Sequence, residues 1–237
     1  MDIHLIERFA QESTRQYVCR LLRTNILNLK LSPGSAVSEK DIADILQVSR
    51  TPVREAFIKL AQDGMLEIIP QKGSYVSLID PEQVEEVRFC RESLEKEIIR
   101  LACTAFSKQD LFKIRSSLTL QALCIHEKNY VSFFELDEEM HGAIFAGCKK
   151  PRLWAMMQQM NTHYNRVRML NLVFGYDWAL LLQQHQEIYE AICEQDVKKG
   201  LQVINVHLNK VTIDLKQLQN QFGDLFKNQP LYTSGLV

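Results

Sequence analysis

The chain has 237 residues, a length that fits two domains of ordinary size, and its 46% hydrophobic and 24% charged residues are typical of a folded globular protein. This composition excludes a disordered or collagen-like chain, and no apolar run approaches the ~20 residues that cross a bilayer. The net charge of −1, taken alone, argues against a nucleic-acid partner. The first residues lack the pattern of a signal peptide, so we expect a cytoplasmic protein with no membrane partner.

Glycine and proline are concentrated between residues 33 and 81, which indicates short elements and tight turns in that stretch. Beyond it, apolar residues recur every three or four positions, as they do on the buried face of a helix. The sequence therefore predicts a mainly α-helical protein, with Asp80-Pro81 suited to begin the first long helix. The predicted divisions are a first domain at 1–79, an all-helical bundle of about six helices at 80–226, and a tail of unknown role at 227–237.

The first domain has the pattern of three helices followed by a β-hairpin. Ser38 and Ser49 are suitable N-cap residues for the second and third helices, and Asp41 completes a capping-box-like pair with Ser38. Two short apolar runs follow, and the segment 70–73 between them predicts a hairpin turn, or wing. The predicted elements are helices at 13–30, 38–46 and 49–63 and strands at 65–69 and 74–78. This order is that of a winged helix-turn-helix.

The start of the third helix carries the chemistry that favours a DNA partner. Arg50, Thr51 and Arg54 lie in its first turns, where a recognition helix presents side chains to base edges. Arginine binds guanine O6 and N7 in a bidentate manner, and a hydroxyl group such as that of Ser49 binds phosphate. These residue types at this position predict a DNA-contacting surface.

Two lysines extend this surface. Lys40 on the second helix and Lys72 at the wing can neutralise phosphates on either side of the third helix. Residues 1–78 contain ten basic and nine acidic residues, so the charge of the whole domain is a weak indicator and the local cluster carries the prediction. The alternative interpretation is a charged, solvated surface with no partner.

Four residues of the second domain form a candidate metal site. Asp137 and His141 are four residues apart on one predicted helix, so their side chains lie on the same face. His185 and His207 lie on two later helices, and facing helices of a bundle can bring such residues together. One carboxylate and three imidazoles suit Zn²⁺, Ni²⁺, Mn²⁺ or Fe²⁺. The alternatives are hydrogen-bonded core histidines and a simple Asp137–His141 ion pair.

Three segments of the first domain carry a specific pattern: SEKDIA at 38–43, VSRTPVREA at 48–56 and LAQDGML at 60–66. They closely resemble the GntR family of bacterial transcription regulators. The resemblance implies a winged helix-turn-helix that binds palindromic double-stranded DNA operators as a homodimer. It also implies a set of DNA contacts, namely Lys40, Arg50, Thr51, Arg54 and, at the wing, Lys72 and Gly73.

The second domain carries RESLE at 91–95, D-x-x-x-H at 137–141, HQEIYEAI at 185–192 and HL at 207–208. This set is similar to the helical effector domain of the FadR subfamily, called FCD. The resemblance implies that a divalent metal ion, zinc before nickel, manganese or iron, is held by Asp137, His141, His185 and His207. Where relatives often carry an acid before the third of these ligands, this chain has Gln184.

The same resemblance implies a small carboxylate effector at the metal. A divalent cation with one carboxylate ligand keeps a net charge of +1, which favours an anion. Arg91 is a candidate clamp for that anion, and an i,i+4 ion pair with Glu95 is an equally open interpretation. Further candidates for the pocket lining are Arg88, His163, Tyr164 and Arg168. Tyr176 and Trp178 fit the pocket or the core equally well.

Three functions are consistent with these patterns. The leading hypothesis is a metal-containing, ligand-responsive, dimeric transcription regulator that is not an enzyme. In the second, the metal ion itself is the signal. The third is a metal-dependent hydrolase, since an open coordination position can activate water. Against the hydrolase, the sequence offers no general base beside the candidate ligands, and a winged helix-turn-helix has no role in such an enzyme.

Overall fold

The structure is a computed structural model that describes residues 3–174 and 178–228; Tyr176 and most of the predicted tail lie outside these ranges. The described residues divide into two compact units. One unit is formed by 3–81 together with 219–228, and the other by 82–218. The predicted fold class, a winged helix-turn-helix followed by a helical bundle, is confirmed.

The first unit contains three helices and a small antiparallel sheet. The helices are α1 (Thr14–Leu27), α2 (Glu39–Leu46) and α3 (Arg50–Gln62), and the strands are β1 (Ala36–Val37), β2 (Leu66–Ile69) and β3 (Gly73–Val76). The strand order is β1-β3-β2, with Leu66 opposite Val76 and Ile69 opposite Gly73 across the hairpin. The strand β1 was not predicted, because two residues are too short to show an alternating pattern.

Local chemistry explains the turn between α2 and α3. The backbone N–H of Asp41 donates to Ser38 Oγ at 3.4 Å, so Ser38 caps α2 as predicted. Gln47 adopts a left-handed conformation with φ of 54°, which ends α2 and redirects the chain into α3. Ser49 occupies the N-cap position of α3 as predicted, but its side chain makes no capping hydrogen bond. The exposed Ser49 hydroxyl instead lies at the helix surface.

The second unit consists of helices, of which the described residues form seven. They are α4 (Pro81–Thr104), α5 (Lys108–His126), α6 (Tyr130–Gly147), α7 (Pro151–Gln158), α8 (Thr162–Val173), α9 (Trp178–Glu194) and α10 (Val197–Gln221). The apolar pattern at 151–172 reads as one helix in the sequence but forms both α7 and α8, since Asn161 begins α8 as its N-cap residue. None of the described helices combines the length and the apolar character that a membrane crossing requires.

The final described segment joins the first unit. After α10, the chain forms a 3₁₀ turn at Gly223–Leu225, and Phe226 pairs with Ile79 in a parallel β-bridge. Both side chains are buried, at 4% and 0% exposure. The sequence groups 219–226 with the helical bundle, whereas the contacts of the structure group 219–228 with the first unit. Packing of Phe226 explains the difference, because burial of this aromatic side chain beside Ile79 stabilises the attachment of the segment to the first unit.

Candidate functional site

The predicted DNA contacts lie on the surface of the first unit. Arg50, Thr51 and Arg54 are exposed in the first two turns of α3, while Val53 and Phe57 on its opposite face are fully buried. Among the residues that the structure describes, the side chains of Arg50 and Arg54 form no hydrogen bond or ion pair. An arginine held on a rigid helix without an internal partner is available to an external acceptor, such as a base edge or a phosphate.

The wing and α2 border the same groove as Arg50. The groove is lined by the start of α2, including Ser38 and Lys40, and by the hairpin from Ile68 to Tyr75. Lys40, Lys72 and Gly73 are exposed there. Gly73 has φ of 125°, a conformation that side chains rarely adopt, so the hairpin needs glycine at this position. The structure brings Arg50 of α3 to one groove with Lys40, Lys72 and Gly73, and the contact of all the predicted residues with DNA stays a prediction.

The three predicted histidine ligands meet in the interior of the second unit. His141 lies on α6, His185 on α9 and His207 on α10, and their candidate ligand atoms all lie within 4.8 Å of one another. The three residues are 1%, 0% and 8% exposed. This buried triad can hold a metal ion, because imidazole nitrogens at such spacing can reach one common centre.

Each imidazole is oriented by a hydrogen bond at Nδ1. His141 Nδ1 lies 2.7 Å from Glu95 Oε2, and His185 Nδ1 lies 2.7 Å from Gln121 Oε1. His207 Nδ1 lies 3.0 Å from Gln184 Oε1. Because these oxygens only accept hydrogen bonds, each Nδ1 is the donor and each Nε2 of a neutral ring keeps a lone pair.

The amide of Gln121 confirms this assignment for His185. Its Nε2 donates to Ser117 Oγ at 3.2 Å and to the Leu136 carbonyl at 3.3 Å, which leaves Oε1 for the histidine. The Nε2 atoms of His141 and His185 are buried and have no hydrogen-bond partner. Unsatisfied buried nitrogens are costly unless something else binds them. The chemistry of the donor set therefore fits a metal ion.

Asp137 lies beside the triad and is held by an arginine. Its Oδ2 is 3.5 Å from His185 Nε2, and its Oδ1 is 3.6 Å from His141 Nε2. Arg168 on α8 donates to the same Oδ1 at 2.5 Å. Burial raises the pKa of Asp137, but Arg168 and the histidines outweigh it and hold that pKa far below its usual range. Asp137 is therefore a carboxylate at neutral pH.

Two of the buried imidazoles, those of His185 and His207, are held in the neutral form. Burial lowers the pKa of His185 to about 4, in spite of the opposing attraction of Asp137. Burial, together with the two neighbouring histidines, also lowers the pKa of His207 well below its usual value. Neutral imidazole is the form that binds a metal ion, so these ligands need lose no proton on binding.

Arg91 on α4 is enclosed in the core at 1% exposure. Its Nε donates to Glu95 Oε1 at 2.6 Å, so the i,i+4 ion pair open in the sequence is present. Its Nη1 and Nη2 are buried and have no hydrogen-bond partner. The guanidinium lies 5.0 Å from the Tyr164 ring and 5.5 Å from the Trp154 ring. The ion pair with Glu95 thus uses the Nε edge of the guanidinium, and Nη1 lies 3.7 Å from Glu138 Oε1, while neither Nη group makes a hydrogen bond.

The remaining effector candidates differ in position. Tyr164 and Arg168 line a small pocket that also reaches Asp137 and His207. Arg88 donates to Glu85, Glu92 and Asn209, and it is not among the residues that line this pocket. His163, the other candidate, is buried at 3% exposure, and Trp178 donates from its ring N–H to the Leu172 carbonyl at 2.9 Å. Effector contact by Arg88, Tyr164, Arg168 or Arg91 stays a prediction.

Comparison with known proteins identifies both units. The model of the bacterial regulatory proteins of the gntR family matches residues 14–76. The model of the FCD domain matches residues 86–210, which is more than half of the chain. The chain belongs to the GntR family. It carries the N-terminal GntR helix-turn-helix and the C-terminal FCD domain of FadR-like members, which are transcription regulators and not enzymes.

Curated relatives extend over nearly the whole chain. The transcriptional repressor RspR of Escherichia coli is 30% identical over 218 residues, covering 92% of this chain and 96% of the relative. A helix-turn-helix regulator from an unstable DNA locus of Streptomyces ambofaciens is 31% identical over 90% of each chain. This GntR-family chain is therefore a DNA-binding transcription regulator.

Solved structures confirm the fold. E. coli McbR/YncC superposes with a TM-score of 0.73 at 20% identity, covering 87% of this chain and 99% of that structure. A GntR transcriptional regulator from Rhodococcus sp. RHA1 also gives a TM-score of 0.73, at 22% identity, over 86% of this chain and 99% of that chain. At these identities the similarity establishes the fold alone.

Sequence reasoning missed the residues that orient the histidines of this GntR-family protein. Gln121 carries no local signal, since it lies 64 residues before His185. Gln184 draws attention only as the residue before His185, and it orients His207 instead. A signal does exist for Glu95, because it stands in the RESLE motif that also supplies Arg91.

Proposed function

We propose that this regulator acts on chromosomal DNA in the cytoplasm as a homodimer, binds a palindromic operator, and responds to a small carboxylate at a metal site in its helical unit. The observation that carries the proposal is the convergence of three imidazoles whose Nδ1 atoms are all occupied by acceptors. With Nδ1 engaged, Nε2 is the ring nitrogen of each histidine that remains for a metal ion. A core that needed only hydrogen-bonded histidines would not leave two of these nitrogens without partners.

His141, His185 and His207 would hold the metal, with Asp137 as the fourth ligand. Zinc fits best, because it accepts three nitrogens and one oxygen in tetrahedral sites. When bound, the cation supplies positive charge and Lewis acidity for an anionic oxygen. Asp137 is already deprotonated through its ion pair with Arg168, which prepares it for this role.

A carboxylate effector is supported by the positive groups around the site. Arg91 is fully buried, and its two Nη groups have no hydrogen-bond partner. A buried guanidinium in this state is stabilised by a carboxylate that accepts from both groups. The pocket beside Asp137 has a volume of about 30 Å³, room for one or two waters. An acid therefore requires side chains such as Tyr164 to move.

This movement supplies the basis for a response. A ligand shifts a conformational equilibrium only if it binds one conformation more tightly than the other. A carboxylate that fits only after the pocket opens meets this condition. The effector would then favour a rearranged helical unit over the closed one and change the affinity for the operator.

The proposal is tested by measuring operator affinity while Zn²⁺ and candidate carboxylic acids are titrated separately and together. We expect the acid to change operator affinity only in the metal-loaded protein. The variant His185→Ala/His207→Ala should bind no metal by elemental analysis and should not respond to acids. Full retention of one metal ion per chain by this variant would refute the site.

The second candidate function, a metal sensor, is favoured by one observation: each of the three imidazoles is already oriented by a hydrogen bond at Nδ1. In that case Zn²⁺ alone would change operator affinity over the range in which it binds, and acids would add nothing. The same titration therefore separates the two functions. Turnover of a candidate acid by the purified protein would instead favour the hydrolase interpretation, which the family does not support.

A further inference from the structure

Glu95 on α4 contacts both the candidate anion clamp and a candidate metal ligand. Its Oε1 accepts from Arg91 Nε at 2.6 Å, and its Oε2 accepts from His141 Nδ1 at 2.7 Å. The residue is 2% exposed. Burial raises the pKa of Glu95, but Arg91 and His141 outweigh it and hold that pKa far below its usual range. One buried carboxylate thus links two groups to which the proposed function assigns different ligands.

Glu95 belongs to a closed ring of charged and polar groups, of which Glu138 and Arg168 are partly exposed and the others are buried. On the far side of Arg91, its Nη1 lies 3.7 Å from Glu138 Oε1. Arg168 then donates to both Glu138 and Asp137. The ring closes where Asp137 Oδ1 lies 3.6 Å from His141 Nε2. Its order is His141, Glu95, Arg91, Glu138, Arg168 and Asp137.

The three acceptors that orient the histidines are not alike. Gln121 and Gln184 are neutral amides, and each serves its histidine adequately at 2.7 Å and 3.0 Å. A neutral amide at position 95 would therefore suffice to orient His141. The second oxygen and the negative charge of Glu95 also serve Arg91, whose buried guanidinium takes an anionic partner at Nε.

We propose that Glu95 is a positioning residue that couples metal binding at His141 to carboxylate binding at Arg91. This inference rests on the proposed function. A carboxylate acceptor at Nδ1 increases the basicity of Nε2 and so strengthens the metal ligand. The same carboxylate holds the Arg91 guanidinium by Nε, so both Nη groups, of which Nη1 lies 3.7 Å from Glu138 Oε1, still lack a hydrogen-bond acceptor that an effector carboxylate can supply. A metal ion bound at His141 therefore changes the hydrogen bond between Glu95 and Arg91, and a carboxylate bound at Arg91 changes the hydrogen bond between Glu95 and His141.

Glu95→Gln is the decisive variant, because glutamine has one acceptor oxygen where glutamate has two. It can serve Arg91 or His141 but not both, and a charged guanidinium is the stronger donor. We expect Zn²⁺ affinity, measured by competition with a chelator, to fall ~10–100-fold, the range typical for loss of an outer-shell partner. The matched control is Glu92→Gln, on the same helix, which also loses a carboxylate with two cationic partners, Arg88 and Lys96.

A second variant distinguishes positioning from a general loss of structure. In Glu95→Gln/Arg91→Met, the competing donor is gone and the single oxygen returns to His141. We expect Zn²⁺ affinity to recover toward that of the wild type, which no unfolding explanation predicts. The double variant also removes the buried guanidinium that has lost its anionic partner at Nε, so it should fold even if Glu95→Gln alone does not.

Coupling is measured with acetate as the probe anion. In the wild type, saturating acetate should tighten Zn²⁺ binding, and in Glu95→Gln this effect should disappear. If Glu95→Gln binds Zn²⁺ as tightly as Glu92→Gln, or if the double variant binds no better than the folded single variant, the inference is overturned. A wild-type protein that binds no Zn²⁺ overturns the proposed function itself, and this inference with it.

Discussion

Two arginines of this chain show how surroundings decide the role of a side chain. Arg50 is exposed at the start of α3 and has no recorded partner among the described residues, so its five donors are available to DNA. Arg91 is buried, held at Nε by Glu95, and flanked by aromatic rings. Arg50 can bind DNA at little cost in desolvation, because it is already exposed to solvent. Arg91 can bind only an anion that enters the core.

At the residue scale, Arg50→Ala should weaken operator binding and relax the preference for one base by ~1–3 kcal/mol, because a bidentate contact with guanine is lost. Lys72→Ala on the wing is the comparison. It should weaken binding to all sequences alike and reduce the salt dependence by about one phosphate contact. Binding to an operator and to its single-base variants at several salt concentrations measures both effects. Unchanged affinity and preference in Arg50→Ala would contradict the assignment of α3 as the recognition helix.

At the scale of elements, α10 packs closely against α4 at Gly200, near the start of α10. A Cβ atom on Gly200 would lie 2.7 Å from Ile99 Cγ2 on α4 and 3.3 Å from Cys103 Sγ. Both neighbours are buried at 2% exposure, so neither has room to move aside. The close approach of α10 and α4 matters for the site, since His207 lies on α10 and Glu95 on α4.

Gly200→Ala should therefore destabilise the protein, although alanine is the better helix former by ~0.5–1 kcal/mol. Overpacking against Ile99 costs ~1–3 kcal/mol, which exceeds that gain. Denaturant unfolding measures the difference. The control is Gly223→Ala, where nothing lies within 4 Å of the added Cβ and the change should be within ~0.5 kcal/mol. A more stable Gly200→Ala variant would show that the contact with α4 is not tight.

Helix boundaries show which elements a pattern predicts well. The ends of α2 and α3 follow from local signals: Ser38 before α2, and Asp63-Gly64 after α3. The division between α7 and α8 was missed, because apolar residues continue at helical spacing across 159–161. Periodicity reports which residues face the core, and two consecutive helices can satisfy one periodic pattern.

At the scale of the whole molecule, the last described residues connect back to the first unit. The Ile79 N–H donates to the Leu225 carbonyl at 2.9 Å, and the Lys227 N–H donates to the Ile79 carbonyl at 2.8 Å. The Lys227 ammonium lies 3.2 Å from Asp80 Oδ2. These contacts lie beyond the residues matched by either family model, at 14–76 and 86–210. They are a feature of this chain that the family patterns do not describe.

Phe226→Ala should destabilise the first unit by ~3–5 kcal/mol, because it removes a buried aromatic side chain from beside Ile79. Zn²⁺ content should stay unchanged, since the ligands lie in the second unit. Hydrogen exchange of the first-unit strands and the melting temperature measure the loss. Phe112→Ala, at a position 59% exposed, is the control and should change stability by no more than ~0.5 kcal/mol. Equal melting temperatures for the two variants would mean that Phe226 contributes nothing to the fold.

Features that depend on residues close together in the chain could be predicted from the sequence. The motif at 48–56, with its capping serine and exposed arginines, predicts a recognition helix, and the apolar spacing beyond residue 82 predicts a bundle. The pair Asp137 and His141 is visible because positions i and i+4 of a helix share a face. For His185 and His207 the support comes from the resemblance to the FCD domain, because residues on separate helices carry no local signal that they meet.

Contacts between residues that are far apart in the sequence could be identified only from the tertiary structure. Three contacts, those of Gln121 with His185, of Gln184 with His207 and of Glu95 with His141, join different helices. Periodicity places each of these residues on a face of its own helix, but the axial offset and rotation of the helices select the partner. Those quantities depend on the packing of the whole core, to which a close approach such as that at Gly200 contributes. For this reason the convergence of the three histidines could be expected from the sequence, and the network that orients them could not.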